Sequence, residues 1–162
     1  RIAQILASGS TGREGAGITA STFEYFSDHS AKVDVVAVEP DPDGFEACLI
    51  VRYDDVSASA ERYALCMNAA GALYAYYEGF DANGAFQSEN LFASDVALDP
   101  FVWNQLQIIA RGPDLYFLVN GSLLGTAEHA GPQEGAAGVI VYNYGTSPAT
   151  LAFTNMTVNA LQ

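Results

Sequence analysis

The chain has 162 residues, a length that suits one domain able to bury its own core without the help of a metal or a disulfide. Half of the residues are hydrophobic, 15% are charged and the mean hydropathy is positive, which excludes disordered, collagen-like and coiled-coil chains. Nineteen acidic against six basic residues give a formal charge of −13, a field that repels phosphate backbones and anionic lipid headgroups and excludes electrostatic docking on nucleic acid or membranes.

Apolar and polar residues alternate with period two along most of the chain, and no helical stripe of useful length interrupts them. The pattern predicts an all-β protein with strands at Ile2–Ala7, Gly17–Phe26, Ala31–Glu39, Phe45–Tyr53, Arg62–Met67 and Ala72–Glu78. It continues with Phe101–Arg111, Asp114–Val119, Ser122–Glu128, Gly138–Tyr144 and Thr150–Val158. Gly, Pro, Asn and Asp clusters separate them at the spacing of a sandwich or barrel. Asp81–Pro100 has little strand character and reads as a long excursion with one short edge strand. No linker divides the chain, so residues 1–162 form one domain, with 1–16 as an N-terminal strand and extension. The longest apolar runs, Val33–Val38 and Gly138–Tyr144, fall well short of the roughly 20 residues of a membrane helix. The chain opens at Arg1 without a leader pattern, which fits either a removed signal or a piece of a longer protein.

Two hairpins can be placed in register. Asn120-Gly121 is a type I′ turn signal, so Leu118 should face Leu123 and Phe117 should face Leu124. Farther back, the loop Asp54–Ala60 and the three-residue turn Ala69-Ala70-Gly71 define a meander in which Cys48 faces Cys66, Arg52 faces Arg62 and Arg62 faces Glu78. One face of this meander collects Phe45, Leu49, Tyr53, Tyr63, Leu65, Met67, Leu73 and Tyr77 and belongs to the core. The opposite face carries Glu46, Cys48, Arg52, Arg62, Cys66, Tyr74, Tyr76 and Glu78. Arginines with an acid and tyrosines near them suit an anionic or polyhydroxyl ligand, and Arg52, Arg62, Tyr74, Tyr76 and Glu78 are the candidate binding residues. Tyrosine faces lie against the C–H side of a sugar while the hydroxyl bonds at its edge. The cysteines have two readings: a cross-strand disulfide between Cys48 and Cys66, which would indicate an oxidising compartment, or two reduced, half-buried thiols. Asp41, Asp43 and Glu46 offer hard oxygen ligands for Ca²⁺, but the pattern favours a solvated acidic turn, and no cofactor is expected. His29 and His129 have no metal-ligand spacing and read as loop or surface residues.

Four stretches carry a resemblance to a known superfamily: DGFEACLIVRYDD, RYALCMNAAGALYAYYE, WNQLQIIARGPDLYFLVNGSLLGTAEH and GAAGVIVYNYGTSPATLAFTNMTV. They resemble the concanavalin A-like lectin/glucanase superfamily, and within it the bacterial 3-keto-disaccharide hydrolase-like and laminin G-like extracellular domains. The resemblance spans Gly17 to Val158. It implies a two-sheet antiparallel jelly-roll sandwich with a concave face that holds ligands in many members, and it makes Trp103 a core anchor. Retaining glucanases of the superfamily carry carboxylates on one strand as E-x-D-x-x-E, two of them close enough to act as nucleophile and acid/base. The nearest match here, Glu39 to Glu46, lacks the last acid and contains two prolines. No catalytic residue is therefore assigned.

Three functions compete on these grounds. The first is a non-catalytic extracellular or cell-surface module that binds a glycan or a protein partner on the concave face. The second is a structural subunit, a homo-oligomer or part of a larger surface assembly, suggested by the single lysine, Lys32, in a chain with few charged guards on its sheet edges. The third is a glycoside or keto-glycoside hydrolase, which the resemblance permits and the incomplete carboxylate set disfavours.

Overall fold

Period two in the sequence is realised as twelve strands, with no helix among the described residues. A computed structural model describes residues 3–7, 20–21, 24–38, 44–54, 61–81, 83–144 and 149–162. The strands are β1 (Ala3–Ala7), β2 (Ala20–Ser21), β3 (His29–Ala37), β4 (Phe45–Tyr53), β5 (Arg62–Asn68), β6 (Ala72–Phe80), β7 (Phe86–Ala97), β8 (Asn104–Arg111), β9 (Asp114–Val119), β10 (Ser122–Glu128), β11 (Ala136–Asn143) and β12 (Ala149–Ala160).

They form two six-stranded antiparallel sheets: a back sheet ordered β1-β12-β3-β8-β9-β10 and a front sheet ordered β2-β11-β4-β5-β6-β7. The alternation of β3 and β8 sends Val33, Val35, Leu106 and Ile108 inward, where they meet Leu49, Leu65, Met67 and Leu73 of the front sheet. This is the two-layer arrangement that buries one face of each sheet. The strands at 45–53, 62–68 and 114–128 lie where the alternation places them. Asn120 and Gly121 take left-handed φ values of 50° and 78°, as a type I′ turn requires.

Four expectations are corrected. Asp81–Pro100 is mainly strand: β7 is a twelve-residue edge of the front sheet. Its residues are mostly exposed, so no apolar alternation marks it. In the hairpin, Leu118 faces Leu123 as expected, but Phe117 faces Gly125 rather than Leu124, because a bulge intervenes. Phe92 stacks on Phe117 with ring centroids 6.1 Å apart, and a methyl group at Gly125 would overlap the Phe92 ring. The glycine makes room for that ring.

Trp103 is not a core anchor. It is 49% exposed, while its neighbour Asn104 is buried. Asn104 Nδ2 donates to the carbonyls of Asp99 (2.8 Å) and Val102 (3.0 Å), fixing the turn into β8, and alternation then directs Trp103 outward. Last, the β4–β5 ladder keeps its expected register from Glu46↔Asn68 to Val51↔Tyr63 and breaks at Arg52, whose φ of 52° marks a bulge. The displaced pairing, with Asp54 N donating to Glu61 O, shifts the last residues of β4 by one and exchanges the faces of Arg52 and Tyr53. Tyr53, expected in the core, packs on the outer face of the front sheet, and Arg52 leaves that face.

Candidate functional site

The front sheet curls toward its outer face, and side-chain contacts measure the curl. Tyr142 on β11 faces Glu46 on β4, which faces Asn68 on β5, and Arg62 lies six positions farther along β5. In a flat sheet that offset is about 20 Å along the strand, beyond the combined reach of a tyrosine and an arginine. Arg62 Nη2 nevertheless donates to Tyr142 Oη at 2.7 Å. The twisted sheet therefore forms a trough.

The trough is a groove of about 670 Å³ lined by Glu46, Arg62, Tyr74, Tyr76, Glu78, Phe86, Ser88, Tyr142 and Tyr144. Its floor is apolar and fully buried: Cys48, Ile50, Ala64 and Cys66, with Ile140 beside them. Cys48 and Cys66 are joined in a disulfide, with Cα atoms 4.1 Å apart across the directly opposed positions of β4 and β5. Tyr76 Oη lies 3.7 Å from Cys48 Sγ. Alternation places the ring pairs Tyr74/Tyr76 on β6 and Tyr142/Tyr144 at the end of β11 on the same face, each pair stacked with centroids 6.0 Å apart.

Four of the five candidate binding residues meet here. Arg62 and Glu78 form an ion pair, and both side chains are nearly buried, 15% and 13% exposed. Tyr142 completes the set, accepting from Arg62 and donating to Glu78 Oε2 at 3.3 Å. The Arg62 guanidinium also lies 5.9 Å from the Tyr53 ring centroid. The fifth candidate, Arg52, does not take part. Turned inward by the bulge, its side chain is fully buried and binds the carbonyls of Gly112 (2.7 Å), Pro132 (3.3 Å) and Ser27, with Asp28 at 3.6 Å. It ties three loops together at one end of the sandwich.

The calcium candidates divide. Asp41 and Asp43 lie outside the described residues, whereas Glu46 opens into the groove, where Tyr144 Oη donates to its Oε2 at 3.3 Å. Its carboxylate lies within 4.8 Å of the Cys48 and Cys66 sulfurs, which the disulfide withholds as thiolate ligands. The Tyr74 hydroxyl is buried beside Glu46 without a hydrogen bond of good geometry. Tyr142 and Tyr144 escaped the sequence reading. Their alternation is visible in GVIVYNYG, but nothing local says that this strand lies next to β4.

Burial sets the protonation states. It pushes the Tyr142 hydroxyl up to about 12, and it holds those of Tyr74, Tyr76 and Tyr144 above the ordinary phenol range. All four are neutral donors at neutral pH. Burial also raises the Glu46 carboxyl, with a further push from the Glu78 charge, against the lowering effect of the adjacent Tyr74 and Tyr144 hydroxyls. A carboxyl raised on folding adds stability below the unfolded value of about 4.3 and loses it as pH rises through the folded value. Glu46→Gln is therefore expected to raise the melting temperature at neutral pH, with the gain vanishing in acid. Thermal unfolding of both proteins across that pH range checks it.

No protein-family model and no curated protein sequence matches the chain. Solved structures do: carbohydrate binding module CBM66 from Bacillus subtilis has a TM-score of 0.72 and 16% identity over 98% of this chain and 95% of that one. A prokaryotic β-1,3-1,4-glucanase (lichenase) derived from a mouse hindgut metagenome has a TM-score of 0.72 and 11% identity over 99% and 80%. The Bacillus licheniformis β-glucanase has a TM-score of 0.68 and 12% identity over 98% and 78%. At such identities the likeness defines the fold, which is the concanavalin A-like jelly-roll sandwich.

Proposed function

We propose that the chain is a non-catalytic carbohydrate-recognition module whose ligand lies in the tyrosine-lined groove of the front sheet. The observation that carries this reading is the groove itself: an apolar floor with two stacked tyrosine pairs, and polar groups fixed at its sides. Phenol faces match the C–H surfaces of a sugar ring, and neutral hydroxyls serve its oxygens. Similar structures include a carbohydrate binding module and two glucanases, which supports a carbohydrate ligand. The non-catalytic half rests on Glu78. Of the two carboxylates that line the groove among the described residues, it is held by Arg62 and Tyr142, whereas glycoside hydrolysis asks for two carboxyl groups free to act on opposite sides of one bond. A cross-strand disulfide fits an oxidising, extracellular setting.

Calorimetric titration with a panel of soluble oligosaccharides tests the reading. Saturable binding is expected, weakened about tenfold or more by Tyr74→Ala and by Tyr142→Ala. Absence of binding, or binding that ignores both substitutions, overturns the groove assignment. Release of shorter oligosaccharides overturns the non-catalytic half.

A further inference from the structure

Glu78 and Glu46 line the same groove in different electrical states. Glu78 is neutralised by Arg62, whereas Glu46 pairs with no lysine, arginine or histidine among the described residues. The Glu46 carboxylate sits over the disulfide, its sulfurs within 4.8 Å, which costs solvation without returning a countercharge. Around it stand the hydroxyls of Tyr144 and Tyr74 and, on the strands to either side of β4 and β5, the two stacked ring pairs. The charged and titratable groups facing it are Arg62 from β5, Tyr74, Tyr76 and Glu78 from β6, Tyr142 from β11 and Tyr144 just past its end.

Electron-rich ring faces beside an unpaired carboxylate are complementary to an ammonium group. An anionic guest would add a like charge beside Glu46, and a neutral one would leave that charge uncompensated. A cation replaces the missing partner and is also drawn in by the −13 charge of the whole chain. We propose that the groove recognises carbohydrate bearing a protonated amine, an amino sugar lacking its N-acetyl group, with the ammonium held by Glu46 and the tyrosine faces around it. This rests on the recognition reading above and narrows its ligand class. It also accounts for a groove that keeps a destabilising carboxylate: burial raises Glu46, and the bound amine supplies the charge that settles it.

The test compares glucosamine oligosaccharides with their N-acetylated counterparts of equal length at neutral pH, by calorimetric titration. The amine form is expected to bind at least about tenfold more tightly, with the ratio collapsing to about one in Glu46→Gln. The Glu46 carboxyl resonance, followed by carbon NMR, is expected to titrate at lower pH once the amine oligomer is bound. Equal binding of the two forms, or a preference that survives Glu46→Gln, overturns this inference and leaves the recognition reading standing. Absence of binding by either form overturns the inference, and if neutral glucans are silent as well, the recognition reading falls with it.

Discussion

Arg52→Met is expected to destabilise the protein by about 3 kcal/mol or more, lowering the melting temperature by about 10 °C. The guanidinium is fully buried and serves the carbonyls of Ser27, Gly112 and Pro132, three loops that share no other side-chain donor of this reach among the described residues. Methionine fills much of the volume but removes the donor from the Gly112 and Pro132 carbonyls and leaves Ser27 O with the His29 ring nitrogen alone, at 3.0 Å. Arg52→Lys should recover only a small part, because one ammonium lacks the planar fork that spans the three acceptors. Glycan affinity, measured below the melting transition, is expected to change little, since Arg52 lies outside the groove. Thermal unfolding decides the first point, and a melting temperature within a degree or two of the parent would refute the loop-tying role.

Arg62→Met is expected to cost both stability and affinity. Removing one partner of a nearly buried pair strands the other, here Glu78 together with the Tyr142 hydroxyl, a loss of about 3 to 5 kcal/mol for a fully buried pair and less for one with this residual exposure. The same change frees Tyr142 to reorient at the groove wall, so binding should fall with it. The double variant Arg62→Met/Glu78→Gln separates the two effects: without the stranded charge, stability should return most of the way while binding remains weak. Chemical unfolding and titration of the single and double variants measure both. Equal stability of single and double variants would show that Glu78 carries no stranded charge.

The meander that forms most of the groove was legible because its signals are local. Strict alternation in the strands from Phe45 and from Arg62, with a glycine at the tight turn, places Cys48 opposite Cys66 and Arg62 opposite Glu78, and Gly71 takes the left-handed φ of 77° that the turn needs. Arg52 was misread for a physical reason. A bulge reverses the parity of every residue after it, and this one is stabilised by carbonyls of Ser27, Gly112 and Pro132, far away in the chain. No residue type at position 52 announces it.

The groove's second wall was hidden for a related reason. Tyr142 and Tyr144 alternate correctly, but the neighbour relation of β11 to β4 is a long-range property of the sheet order. Glu46 carries two sequence expectations, an acidic turn with Asp41 and Asp43 and a place on the cysteine face of its strand, and the structure puts it on that face, in phase with Cys48 on β4. Trp103 follows the same lesson in reverse: a large aromatic suggests a core, but the buried slot beside it is taken by Asn104, whose amide closes the turn.

The most direct test of the account is to map where an oligosaccharide binds, by titrating it into the labelled protein and following backbone amide resonances. The account predicts shifts concentrated on β4, β6 and the end of β11, around Glu46, Tyr74, Tyr76 and Tyr142, lost in Tyr142→Ala. Shifts centred instead on the exposed corner formed by Phe101, Val102 and Trp103, with the groove silent, would contradict it.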